Sequence, residues 1–164
     1  MSVEEAEESQ GLRIGVVGAT GAVGQDLIEA LSMGPVSVRE WRFIARASST
    51  PSTIEAGGTS HRVLVLPETP NRSALFEGLD VVLFATPASV TRAWIPQVQA
   101  QEVAAVDIGG ALFPAQPLLV PPVSIGPLEG VTAPAVLSTP SAPGVLIASV
   151  LAPFRDLGLY SATG

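Results

Sequence analysis

The sequence predicts an α/β fold, a single domain in which a doubly wound parallel sheet lies between two layers of helices. In residues 12–107 short apolar strands alternate with helical segments, an order typical of parallel sheets with right-handed crossovers. The composition is 47% hydrophobic and 14% charged, which suits strands that are covered on both faces. A chain of 164 residues is long enough for one such domain with a substantial core.

The first elements follow from the spacing of apolar residues. Residues 12–17 predict a strand, residues 22–31 a helix, residues 41–45 a second strand, and residues 62–66 a shorter strand with the character of a sheet edge. The helix is predicted to have one apolar face formed by Val23, Leu27, Ile28 and Leu31. Farther along, residues 73–77 predict a short helical turn, residues 80–85 a strand, residues 87–101 a helix and residues 103–107 a strand.

A proline-rich segment follows these elements. Eight of the fifteen prolines lie in residues 114–143, so we expect this segment to wrap over a surface rather than to add central strands. Residues 131–138 are still compatible with one more strand. Ser141 is expected to cap a last helix, whose apolar stripe consists of Leu146, Ile147, Val150, Leu151 and Phe154.

The turn between the first strand and the first helix carries three glycines, Gly18, Gly21 and Gly24. Glycines permit a tight turn and let backbone N–H groups approach a phosphate, while the helix dipole favours an anion. Because a strand precedes the turn and a helix follows it, we interpret residues 18–24 as a Rossmann-type turn for a dinucleotide pyrophosphate. The spacing is G-x-x-G-x-x-G rather than the strict fingerprint, and a purely structural turn is the alternative.

The residues after the second strand bear on which dinucleotide is bound. An NAD-binding domain tends to place an acidic residue there for the ribose hydroxyls, whereas this chain has Arg46, Ser48 and Ser49. A guanidinium and hydroxyl groups suit a ribose phosphate, which favours NADP, with NAD as the second possibility. The alternative is a solvated arginine in a surface loop.

Composition excludes several classes of function. The eight basic residues are all arginines and are scattered singly, so we expect no nucleic acid partner. Zero cysteines and one histidine argue against a metal site and exclude a thiolate nucleophile. The apolar runs are too short to span a bilayer, and residues 1–10 are acidic where a signal peptide is basic. We therefore expect a disordered acidic tail at residues 1–10, followed by a cytoplasmic domain that does not contact membranes.

Other polar residues have ordinary structural interpretations. His61 has no nucleophile or second ligand near it in the sequence and is expected at the surface. Asp80 and Asp107 flank strands and are expected to orient loops rather than to act as an acid–base pair. Ser141 lacks a partner base, so an N-cap role is favoured over a nucleophilic one.

Four segments together resemble the N-terminal, NAD(P)-binding half of aspartate-semialdehyde dehydrogenase, an aldehyde oxidoreductase of amino-acid biosynthesis. They are RIGVVGATGAVG at residues 13–24, FIARASS at 43–49, LDVVLFA at 79–85 and VD at 106–107. The resemblance implies that Thr20, Gly21, Ala22 and Val23, together with Ser48, Ser49 and the neighbouring Arg46, bind NADP.

The resemblance breaks at the positions that carry the family's chemistry. The family's asparagine corresponds to Ile108 here, its phosphate-binding arginine to Phe113, and its nucleophilic cysteine to Ala142, while residues 121–124 lack its glutamate. We therefore predict an NAD(P)-binding pseudoenzyme without acyl-enzyme catalysis and with no catalytic residue of its own. Two alternatives stay open: an active oxidoreductase completed by a partner or a second domain, and a non-enzymatic nucleotide sensor or scaffold.

The resemblance also implies association. In that family a second domain covers the proline-rich connection and the last helix, so we expect the surface around residues 118–123 and 150–154 to be bare in this chain. Large bare apolar patches are unusual on soluble monomers, which predicts a homo-oligomer or a complex with a protein partner. The alternative is a monomer in which the proline-rich segment covers the helix.

Overall fold

The structure is a computed structural model that describes residues 11–48, 52–70, 74–116, 118–120 and 134–157. The acidic tail predicted at residues 1–10 and much of the proline-rich segment lie outside the described residues. In chain order the elements are β1 (Leu12–Val17), α1 (Ala22–Met33), β2 (Val38–Ala45), β3 (Thr53–Ala56), β4 (Thr59–Val65), a 3₁₀ turn (Ala74–Phe76), β5 (Val81–Phe84), α2 (Ala88–Gln99), β6 (Ala104–Asp107), β7 (Val136–Ser138) and α3 (Ala142–Asp156).

The strands form one sheet of seven in the order β3-β4-β2-β1-β5-β6-β7. Every neighbouring pair is parallel except β3 and β4, which pair antiparallel. The chain leaves β1 toward β2 on one side and later returns to β5 on the other side of β1. That reversal defines a doubly wound sheet and confirms the predicted fold class.

Two buried clusters lie on opposite faces of this sheet. Alternate residues of a strand point to opposite faces, and Val16 and Val17 of β1 accordingly belong to different clusters. Ile28 of α1 packs in the cluster that contains Val16, while Trp94 of α2 packs in the cluster that contains Val17. Helices on both faces explain why the carboxyl halves of the central strands, such as Val16 and Val17 of β1 and Phe43 and Ile44 of β2, are apolar and buried.

The amino ends of β1 and β5 are joined by an ion pair. Asp80 accepts hydrogen bonds from the backbone N of Arg13 at 2.7 Å and from its Nη2 at 2.9 Å. These hydrogen bonds, first of all the one from the guanidinium, lower the pKa of the Asp80 carboxyl. Nearby, Arg42 pairs with Glu40 and donates to the carbonyl oxygens of Leu75 and Glu77, so it ties β2 to the 3₁₀ turn.

Several element predictions need correction. The strand predicted at residues 62–66 is not an edge strand, because the unpredicted β3 pairs with β4 and forms the edge. The two strands join through Gly57 and Gly58, whose positive φ angles of 57° and 76° are those of a type I′ hairpin turn. The second strand is also longer than predicted, since it begins at Val38 rather than at residue 41.

The apolar surfaces were predicted only in part. Val23 does not lie on the buried face of α1 and is 53% exposed. The buried residues of the helix are Gly24 and Ile28, and Val23 lies five positions before Ile28, about 140° around the helix. The surface around residues 118–123 is not bare as far as it is described: Leu119 and Val120 are buried. Leu118 pairs with Ser138, and the Leu119 N–H donates to the Ser138 carbonyl at 2.8 Å, so this stretch lies along β7.

The stripe on α3 is exposed as expected. Its five predicted apolar residues, Leu146, Ile147, Val150, Leu151 and Phe154, are 43–66% exposed. Among the described residues, none of the helices is long and apolar enough to cross a membrane.

Candidate functional site

The carboxyl ends of the parallel strands meet at one edge of the sheet, which we call the carboxyl edge. The glycine turn follows β1 there, Arg46 and Ser48 follow β2, and the start of α2 follows β5. In doubly wound sheets ligands bind at this edge, where the strand order reverses. The reversal here lies between β1 and β5, directly beside Gly18.

Two glycines of the turn are required by the packing of the protein itself. Gly18 has a φ of 88°, and a Cβ on it would lie too close to the carbonyl oxygen of Ala85. A Cβ on Gly24 would collide in the same way with the carbonyl oxygen of Gly18. Their presence therefore does not by itself indicate a ligand.

Gly21 is different, because the fold does not require a glycine there. Its φ and ψ of −79° and 161° are ordinary, and a Cβ on it would meet only the carbonyl oxygen of Gly18, at 3.4 Å. It is exposed and is the N-cap of α1, with no side chain to accept a hydrogen bond from the first turn. The absence of a side chain leaves space directly in front of the helix.

The first turn of α1 presents backbone N–H groups to that space. The N–H groups of Gly18, Gly21 and Gln25 all donate to backbone oxygens, those of Ile44, Gly18 and Gly21 respectively. In the described part of the chain, no acceptor is recorded for the N–H groups of Ala22, Val23 and Gly24. Unpaired N–H groups at the positive end of a helix dipole form an anion site when an anion is available. Thr20, half-buried, precedes them.

A cavity of about 720 Å³ opens at the same edge of the sheet, between the ends of β2 and β4 and the start of α2. Its volume lies in the range of cofactor sites, roughly 300–1,000 Å³. Arg46 and Ser48 line it, as does Glu68. The buried side chains of Leu66 and Trp94 contribute apolar walls. Gly18 connects the turn to this side, because its N–H donates to the Ile44 carbonyl, two residues before Arg46, at 2.8 Å.

The predicted cofactor residues are thus only partly brought together. The glycine turn and the cavity share the carboxyl edge, but the glycines do not line the cavity. Ser49 lies outside the described residues. Neither Leu66 nor Trp94 was predicted to belong to the site, because the strand and the helix that contain them have the apolar pattern of ordinary core elements.

On the other side of the turn, a buried carboxylate organises the loop that follows β6. Asp107 accepts hydrogen bonds from the backbone N of Gly109 and of Leu112, both at 3.1 Å, and from Ser138 Oγ at 2.6 Å. Both Asp107 and Ser138 are fully buried. The predicted loop-orienting role of Asp107 is confirmed, although its partnership with Ser138 was not foreseen. The same prediction for Asp80 needs correction, because Asp80 binds Arg13 of strand β1 and not a loop.

The remaining candidates do not form a catalytic arrangement in the described residues. α3 begins at Ala142, and Ser141 stands directly before it, where its carbonyl accepts from the Val145 N–H at 3.0 Å. His61 is half-buried rather than fully at the surface, and its ring packs edge-on against Phe43 with centroids 5.6 Å apart. No group of three His, Asp or Glu side chains that could hold a metal occurs among the described residues.

Fold and site together define a dinucleotide-binding α/β domain, and comparison with known proteins gives its family. The model for "Semialdehyde dehydrogenase, NAD binding domain" matches residues 13–130. The chain therefore belongs to the semialdehyde dehydrogenase family, of which it contains the NAD-binding domain.

Individual relatives agree with this assignment. The chain is 32% identical over 150 residues to a USG-1 protein homolog of Azotobacter vinelandii, covering 91% of this chain and 43% of the relative. It is 27% identical over 148 residues to the aspartate-semialdehyde dehydrogenase of Synechocystis sp., covering 89% and 42%. The chain thus spans less than half the length of the curated relatives that it matches.

A solved structure shows the same fold. A probable aspartate-semialdehyde dehydrogenase from Pseudomonas aeruginosa superposes with a TM-score of 0.79 at 30% identity, over 90% of this chain and 43% of that one. The resemblance inferred from the four sequence segments is confirmed.

Proposed function

We propose that this chain binds NADP(H) at the carboxyl edge and that it does not carry out acyl-enzyme catalysis. The observation that carries the proposal is the open start of α1. Three backbone N–H groups there lack a recorded acceptor in the described part of the chain, and the same edge of the sheet holds a cavity of cofactor size that Arg46 lines. The family assignment supports a nicotinamide dinucleotide as the ligand.

The glycine turn would hold the pyrophosphate. The N–H groups of Ala22, Val23 and Gly24 would donate to its oxygens, and the helix dipole would offset part of its negative charge. Gly18 keeps the turn close to Ala85 at the end of β5, Gly24 keeps α1 close to the turn, and Gly21 keeps the space before the helix empty. Thr20, which directly precedes Gly21, would lie near the same phosphates.

The cavity would hold the adenosine half. Val65 and Val90, which line the cavity together with the buried Leu66 and Trp94, would provide apolar surface for the adenine ring. The Arg46 guanidinium with the Ser48 hydroxyl suits the 2′-phosphate of NADP. Ser49 is proposed beside them on the strength of the sequence. Glu68 also lines the cavity and, as an acceptor, suits ribose hydroxyls or the adenine amino group. Preference for NADP over NAD thus depends on Arg46.

Calorimetric titration with NADP and NAD tests this proposal. We expect tighter binding of NADP, and we expect Gly21→Val to weaken it at least tenfold, about 1.4 kcal/mol, because the side chain occupies the phosphate space. Ala30→Val, an exposed substitution farther along the same helix, is the matched control for placing valine in α1. Arg46→Ala should remove the preference for NADP while leaving NAD binding unchanged. Absence of binding for both cofactors would contradict the proposal.

The proposed lack of acyl-enzyme chemistry rests on residue 142. An alanine side chain has no nucleophilic atom, and α3 begins at this residue, where the resemblance implies a cysteine. We expect no phosphate-dependent oxidation of aspartate semialdehyde by this chain. In Ala142→Cys, a thiol at a helix start should be labelled rapidly, yet turnover should stay absent, because Phe113 still stands in place of the phosphate-binding arginine. A measurable rate for the unmodified chain would favour the active alternative.

We also propose that the exposed stripe on α3 is covered in an assembly, either by a second copy of this chain or by a protein partner. The stripe concentrates five large apolar side chains on one helix face, and patches of this kind mark interaction surfaces.

A further inference from the structure

Asp107 is a fully buried carboxylate that has no cation among its hydrogen-bond partners in the described part of the chain. Its Oδ1 accepts from the Gly109 N–H, and its Oδ2 accepts from the Leu112 N–H and from the Ser138 hydroxyl. A buried carboxylate is costly unless hydrogen bonds compensate the lost hydration. Three of its acceptor sites are therefore committed to one loop and one neighbouring strand.

That loop, residues 108–112, is also held by α2, and the strand end directly before it is held by the segment after β7. The Arg92 Nε of α2 donates to the Ala111 carbonyl at 2.6 Å, and the Thr139 N–H after β7 donates to the Asp107 carbonyl at 2.8 Å. Gly110, at a φ of 69°, permits the bend. Gly109 nevertheless remains exposed, so a rigidly held loop presents bare backbone at the carboxyl edge.

The loop lies on the side of the glycine turn opposite to the adenosine cavity. The Ile108 N–H donates to the Phe84 carbonyl at the end of β5, at 3.1 Å, and Ala85, the residue directly after β5, lies against Gly18. The cavity with Arg46 lies instead at the ends of β2 and β4, with the start of α2 as its other wall. A dinucleotide whose pyrophosphate rests on the turn and whose adenosine fills the cavity must direct its other half toward β5 and β6.

We propose that Asp107, together with Ser138, is a positioning residue for the nicotinamide end of the cofactor. It acts by holding residues 108–112 in one conformation, so that the exposed backbone at Gly109 lies against the nicotinamide ring. This inference rests on the proposed binding of NADP(H). It adds a site for the nicotinamide end, because the turn and the cavity account only for the pyrophosphate and the adenosine.

The test compares two ligands that differ in the half of interest. NADPH has both halves, whereas adenosine 2′,5′-bisphosphate has the adenine and ribose phosphates without the nicotinamide. Binding of each is measured by calorimetry for the unmodified chain and for Asp107→Asn, Ser138→Ala and Asp80→Asn. Asp80→Asn is the matched control, because Asp80 also holds backbone but lies at the amino ends of the strands.

We expect Asp107→Asn to weaken NADPH binding about tenfold and bisphosphate binding less than twofold, because an asparagine presents N–H groups where Leu112 and Ser138 now donate. Ser138→Ala removes one hydrogen bond and should show the same selectivity at about threefold. Asp80→Asn should change neither affinity by more than about twofold.

Equal weakening of both ligands by Asp107→Asn, or no weakening of NADPH, would overturn the inference. So would an unmodified chain that binds NADPH no more tightly than the bisphosphate, since the nicotinamide would then make no contact. If Asp107→Asn fails to fold, Ser138→Ala decides by the same criterion. An unmodified chain that binds neither ligand refutes the proposed function itself, which distinguishes the two failures.

Discussion

The two ends of the parallel sheet differ in how their polar groups are satisfied. At the amino end, Asp80 is paired with Arg13, and Arg42 donates hydrogen bonds to the carbonyl oxygens of Leu75 and Glu77 in the neighbouring turn. At the carboxyl edge, the helix start after β1 has N–H groups without a recorded acceptor in the described residues, and Asp107 holds a loop without a cation. The amino end is closed by the protein's own charges, whereas the carboxyl edge keeps these N–H groups open, as the proposed binding of a dinucleotide requires.

This contrast separates stability from binding. Substitutions at the amino end should change the free energy of unfolding but leave ligand affinity alone. At the carboxyl edge, the outcome should depend on whether a residue is packed against the fold, as Gly18 is, or faces the open space, as Gly21 does.

The largest expected effect is that of Gly18→Val. A β-branched side chain at a φ of 88°, in collision with the Ala85 carbonyl, should lower the free energy of unfolding by about 3 kcal/mol. Gly21→Val, which loses only a favourable N-cap residue, should cost no more than about 1 kcal/mol. Urea denaturation of both variants checks the difference. Equal destabilisation would show that the glycine turn is a structural feature throughout and would remove the main support for a phosphate site.

The sequence predicted the glycine turn and the alternation of strands and helices because both are local signals. It missed β3, because Thr53–Ala56 is short and half polar, although the Gly57-Gly58 pair was a hairpin signal. The sequence did not predict the cavity or the hydrogen bond from Ser138 to Asp107 either. Those features join residues from separate elements, 31 positions apart in the second case, and only the register of β6 and β7 brings them together.

A smaller effect is expected at the amino end, for Asp80→Asn. Hydrogen bonding to Arg13 lowers the pKa of Asp80, so its ionised form stabilises the folded state. That contribution is complete above the unfolded-state value, about 3.9, and is lost as the pH falls through the lower folded-state pKa. The unmodified chain should therefore be more stable than Asp80→Asn at pH 7, and the difference should shrink as the pH falls below about 3.9. Denaturation at several pH values measures this, and a difference that persists unchanged at low pH would contradict the ion pair as its source.

The smallest effect on stability is expected on the stripe of α3, where the consequence should be association instead. Ile147→Glu replaces a side chain that is 59% exposed, so the free energy of unfolding of the monomer should change by less than about 0.5 kcal/mol. If the stripe is covered by a second copy, light scattering at micromolar concentration should show an oligomer for the unmodified chain and a monomer for this variant. Met33→Glu, an exposed apolar residue of α1 outside the stripe, should leave the mass unchanged. An unmodified chain that is strictly monomeric and binds no apolar dye would show that the stripe needs no cover. The carboxyl edge would then be the one surface of the described residues for which we propose a binding partner.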